Sequence, residues 1–165
     1  MSRKGVRSHE RILVEWLSKN YAPGSWTTNV RVGQLIPEIE KNLSSWADKR
    51  MSKNLTYIAD GVVLLPNEVV IVEVETEIFI KAVCQVEFYG HLFGNTEAFR
   101  DHWHKPRKLV VVSVVESPLL RWWANMHGVL WIVYKPIWWE EHLATRAGRR
   151  FIPSPVVVPK EFDIK

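Results

Sequence analysis

The apolar residues Ile12, Leu13, Trp16 and Leu17 recur at helical spacing, which predicts an amphipathic helix over Ser8–Asn20. Ser8 suits its N-cap, and Pro23-Gly24 lies just beyond its end. Residues 21–54 carry no single period and read as an insertion, with Val30 and Val32 suited to a short strand and 38–50 to a broken helix. Two runs rich in Val, Ile and Leu, 56–65 and 69–75, flank the turn pair Pro66-Asn67 and predict a β-hairpin. Helical spacing returns from Glu77 to about Phe93 and stops at Gly94-Asn95. The β-branched run 109–115 suits a strand buried on both faces. A helix follows over 117–127 with Pro118 in its first turn, then a strand over 129–134 and a last helix over 136–146. The proline-punctuated stretch 153–165 reads as an extended tail.

Strands alternating with helices imply an α/β fold, a mixed central sheet with helices on both faces. The early hairpin excludes a purely parallel sheet. A chain of 165 residues, 47% hydrophobic, can bury one core, so a single domain over 1–165 is expected. No apolar run approaches the roughly 18–20 residues of a membrane span, and the basic start does not lead into an apolar signal block. This predicts a soluble intracellular protein without a membrane partner. One cysteine, Cys84, excludes an internal disulfide and a multi-cysteine zinc site. The formal charge of +4 agrees with a polyanionic partner, and basic residues cluster at 3–11, 49–53, 100–108 and 146–150. The nine tryptophans are read chiefly as core, with stacking on bases open to any that are exposed.

The hairpin carries the chemistry. A turn centred between Pro66 and Asn67 sets Asp60 directly across from Glu73, with Cβ atoms roughly 4.5–5.5 Å apart. Glu75, two residues on, emerges on the face of Glu73. Three carboxylates among Ile58, Val62 and Ile71 would repel one another, and burying them unpaired would cost more. A hard divalent cation relieves both costs. A solvated strand face explains Glu73 and Glu75 alone, but not an aspartate inside a strand opposite another acid. On the following helix Lys81, Gln85 and Tyr89 form one polar stripe at four-residue spacing. His9 and His91 are within reach of the site in sequence terms, although such residues are more often satisfied bystanders, and His102-Trp103-His104 is read as a surface loop.

Asp60, then Glu73-Val74-Glu75-Thr76, then Gln85-Val86-Glu87-Phe88-Tyr89, resembles the PD-(D/E)XK nuclease superfamily, most closely its RecB-like branch. There an Asp strand precedes an acidic-x-Lys-Thr strand, and a helix carries Gln-x-x-x-Tyr. Glu10 is similar to the acid that Holliday-junction resolvases of this superfamily place beside the metal. The resemblance implies a restriction-endonuclease-like αβββαβ core and Mg²⁺ or Mn²⁺ at Asp60, Glu73 and Glu10. It further implies that Glu75 orients or deprotonates a water, Lys81 neutralises charge on the phosphate, and Gln85 and Tyr89 position the backbone. Glu75 occupies the family's lysine position; some restriction endonucleases carry glutamate there, and Lys81 is the candidate for a lysine moved to the helix. The implied function is metal-dependent hydrolysis of phosphodiester bonds in nucleic acid, DNA in the first instance. A homodimer would supply two active sites for two strands. The alternatives are a nuclease-fold DNA-binding protein without catalysis and an α/β interaction domain with solvated acids.

Overall fold

The computed structural model describes residues 8–33, 57–77 and 80–150, the side chains of 146–150 excepted. The helix expected at 38–50, most of the insertion, the tail from residue 153 and the basic residues of 3–7 and 49–53 lie outside the described residues. The elements are α1 (Ser8–Asn20), β1 (Trp26–Val32), β2 (Tyr57–Leu64), β3 (Val69–Glu75), α2 (Lys81–Phe93), a 3-10 helix (Glu97–His102), β4 (Arg107–Ser113), α3 (Pro118–Met126), β5 (Val129–Val133) and α4 (Trp139–Arg150). Two compact units divide the chain, Met1–Lys135 and Pro136–Lys165. The first contains the sheet. The second contains α4, where the Trp139 and His142 rings stack with centroids 5.3 Å apart.

The sheet is five-stranded and mixed, in the order β1-β2-β3-β4-β5. β1 and β3 flank β2 antiparallel, while β3, β4 and β5 run parallel. The hairpin turns at Pro66-Asn67, where the Leu65 amide donates to the Glu68 carbonyl at 3.0 Å. That turn fixes the pairs Leu64↔Val69, Val63↔Val70, Val62↔Ile71 and Gly61↔Val72. Parallel neighbours need crossovers, and right-handed crossovers advancing in one direction bring their helices to one face. Accordingly Val83, Val86 and Phe93 of α2 and Leu120 and Ala124 of α3 share one core with Val62, Ile71, Val111 and Trp131. Helix α1 covers the other face. Its Ile12, Leu13, Trp16 and Leu17 are all buried, and a Cβ on Gly61 would lie 3.3 Å from Leu13. β3 is buried on both faces from Val69 to Val74, as the apolar run Val69–Val72 at its start requires.

Helix ends follow their chemistry. Ser117 caps α3, its hydroxyl accepting from the Leu120 amide at 3.4 Å, with Pro118 in the first turn. Helix α2 runs over Lys81–Phe93, and ahead of it the amides of Thr76 and Glu77 donate to the Glu75 carboxylate at 2.9 and 3.0 Å. Among the described residues no helix is long and apolar enough to cross a membrane.

Candidate functional site

The β2–β3 ladder is regular from Leu64 to Gly61 and then stops. One residue further the two strands meet through side chains. The Val74 amide donates to Asp60 Oδ2 at 2.9 Å, and the Asp60 amide faces Glu73 Oε2 at 3.5 Å. Asp60 therefore stands where the hairpin register sets it, beside Glu73, with carboxylates in place of the next backbone pairs.

The cause is a turnover in β2. Tyr57 packs on Phe88 and Tyr89 of α2, and Ala59 belongs to the α2-side core, whereas Gly61 faces Leu13 of α1. A regular strand would keep all three on one face. β1 turns over at the matching place: Thr28 pairs with Gly61 and Val30 with Ala59, while Asn29 between them has φ 54°. That left-handed conformation is one asparagine tolerates. Local irregularities of this kind re-aim side chains near active sites. The even alternation behind a single shared carboxylate face is thus broken at Asp60. Asp60 lines a cleft of about 560 Å³ together with His9, Glu10, Thr28 and Asn29, while its Oδ2 reaches toward β3 to accept from the Val74 amide. Glu73, in step with the buried Ile71, belongs to the face of α2.

The electrostatics reflect this crowding. Burial pushes the Glu73 carboxyl up to about 9, and the charges of Asp60 and Glu75 push the same way against the Asp60 amide and Lys81. Burial also raises Asp60, opposed by the Val74 amide and His9 and reinforced by Glu10. Tyr89 is buried, with Gln85 Nε2 donating to its hydroxyl at 3.2 Å. Its pKa is raised by burial first and then by the charge of Glu73. Lys81 is exposed at the head of the same stripe.

Each expected site residue can now be placed. Asp60 and Glu73 are in direct contact, Glu10 shares the cleft of Asp60, and Lys81, Gln85 and Tyr89 line the side of Glu73. Glu75 is adjacent, but its Oε1 is held by the two amides of the following turn. Among the described residues no three His, Cys, Asp or Glu side chains form a group that could hold a metal ion. A fully protein-built cage is therefore absent from them. Two carboxylates nevertheless fit Mg²⁺ or Mn²⁺, since Mg²⁺ is usually held by one or two carboxylates with water and substrate phosphates completing its shell. The crowding of the buried Glu73 against the half-buried Asp60 is the feature a cation would relieve. His9, which the sequence offered only as a residue able to approach the site, and Asn29, which it did not single out, both line the cleft of Asp60. The hairpin argument could not reach them, because each comes to Asp60 from another element.

Comparison with protein-family models, with curated proteins and with solved structures yields no match.

Proposed function

We propose that this chain is a metal-dependent nuclease of the PD-(D/E)XK type that hydrolyses phosphodiester bonds in DNA. The observation that carries the reading is the half-buried Asp60 beside the buried Glu73, at the point where the β2–β3 ladder gives way to side chains. Further support comes from the order helix, three strands, helix, strand, from Glu10 beside Asp60, and from the Lys81-Gln85-Tyr89 stripe beside Glu73. A divalent cation, when bound, supplies Lewis acidity toward the phosphate and lowers the pKa of a water. Asp60 and Glu73 would hold it, with Glu10 assisting from the cleft. The Val74 amide keeps Asp60 aimed, and the Gln85–Tyr89 hydrogen bond fixes the stripe along which the substrate backbone lies. Lys81 supplies the positive charge that offsets charge developing on the phosphate.

One observation favours a second reading, a DNA-binding protein without catalysis: Glu75 stands at the family's lysine position with an oxygen already engaged by the Thr76 and Glu77 amides. Plasmid nicking in Mg²⁺ or Mn²⁺ decides between them. The nuclease reading expects nicking by the wild type and none by Glu73→Ala, with the fold retained. A Glu73→Ala protein that still nicks removes the activity from this site, and a wild type that binds DNA but never nicks it favours the second reading.

A further inference from the structure

Beside the carboxylate pair lies a group of aromatic rings that the hydrolytic reading leaves unused. Tyr57, the first residue of β2, meets Phe88 of α2 edge-on, with centroids 4.9 Å apart and planes at 87°. Tyr57 also lies 6.3 Å from the ring of Tyr89. Tyr89 is buried, but Tyr57 is 51% and Phe88 43% exposed. Single exposed aromatics are ordinary. Two rings held perpendicular on separate elements, backed by a buried third, make a preformed corner at which a flat group can stack on one ring and meet the edge of the other.

The place of that corner identifies its occupant. Phe88 follows Lys81 and Gln85 on one stripe of α2, seven and three residues on, so a cation stands at one end and aromatic rings at the other. Tyr89 behind the corner accepts from Gln85 of the same stripe at 3.2 Å and lies 6.3 Å from the Tyr57 ring, which ties the corner to the proposed path of the substrate backbone. A flat, uncharged group attached to a phosphate is a nucleobase. In a duplex both faces of a base are covered by its neighbours, so only an unpaired base can offer a face to an aromatic ring. Resting on the nuclease reading for its choice of ligand, we infer that Tyr57 and Phe88 form a stacking platform for an unpaired base, so that the site takes nucleic acid as a single strand.

The test is metal-free binding, so it does not depend on cleavage. Fluorescence anisotropy in chelator compares a labelled oligothymidylate with the same strand paired to oligodeoxyadenylate. Wild type binds the single strand more tightly than the duplex. Tyr57→Leu and Phe88→Leu keep apolar bulk but remove the π-face. Each weakens single-strand binding by roughly five- to a hundredfold and leaves duplex binding unchanged. Tyr57→Trp restores single-strand binding, which a merely structural role for the ring would not produce. Thermal melts near the wild-type midpoint establish that the leucine variants fold; should they not, the wild-type preference for the single strand over the duplex remains the deciding measurement. Equal affinity for the two forms, an equal loss of both on substitution, or no binding at low salt overturns the proposal. A wild type that prefers the single strand through these rings yet never cleaves it keeps the platform and sinks the hydrolytic reading. Nicking that depends on Glu73 with leucine variants indistinguishable from wild type does the reverse.

Discussion

The two ends of the β2–β3 hairpin use the same pair of strands in opposite ways. At the turn end, Val62, Val63, Val70 and Ile71 are buried, paired in register and apolar on both faces. At the far end, Asp60 and Glu73 replace the backbone ladder with carboxylates, and burial works against them instead of for them. The first end contributes stability through apolar area removed from water. The second costs stability, because two acids share a site that disfavours their ionised forms. Such a cost is what a site prepared for a cation would show before the cation arrives.

Ile71 and Glu73 lie two residues apart on one strand and one face, so substitutions there should act with opposite sign. Ile71 is fully buried, and Ile71→Ala should lower unfolding free energy by about 2–5 kcal/mol, read by urea denaturation. A loss below about 1 kcal/mol would mean that the turn end is less well packed than the structure shows. Lys81→Ala tests the functional side of the far end. It should slow cleavage by roughly 10²–10³-fold without weakening metal binding. A wild-type rate would show that this lysine is not the phosphate's cation.

The smallest effect is the most diagnostic of burial. Glu73 has a folded pKa raised from 4.5 to about 9, so in this range the folded state holds a proton that the unfolded state has lost. Its contribution to stability is therefore full below about 4.5 and is lost as pH rises toward 9. Glu73→Gln keeps the size and removes the titration. Without metal, it should be more stable than wild type at neutral pH by about 1–3 kcal/mol, and the difference should vanish near pH 4. Equal stability of the two proteins across this range would mean that Glu73 is not held in a buried, crowded site.

Much of this contrast was legible in the sequence, and its limits have a physical cause. Pro66-Asn67 specifies a tight turn, a tight turn specifies register, and register brought Asp60 to Glu73 by counting. The buried face of α1, the helix opened by Pro118 and the strands β4 and β5 were legible from periodicity and proline placement. The turnover at Asn29 and Asp60 was not, because strand counting assumes unbroken alternation and no residue type there enforces the change. β1 was equally faint, since Thr27, Thr28 and Asn29 interrupt the apolar pattern that marks Val30 and Val32. The engagement of Glu75 by its own turn was hidden for a related reason. A glutamate ending a strand can project from the sheet or fold back onto the next two amides, and local sequence does not choose between them. His9 could not be told from a bystander, because its nearness to Asp60 depends on how α1 lies across the sheet.

Calorimetric titration of Mn²⁺ into wild type and Glu73→Gln tests the central claim most directly. A cation at the Asp60–Glu73 pair must displace the proton that Glu73 holds below pH 9. The account predicts saturable binding to wild type in the micromolar-to-millimolar range, proton release on binding at neutral pH, and an affinity that rises with pH. Glu73→Gln should lose both the binding and the proton release. Wild type that binds no Mn²⁺, or Glu73→Gln that binds it with unchanged affinity and proton release, would contradict the assignment of this site to a metal.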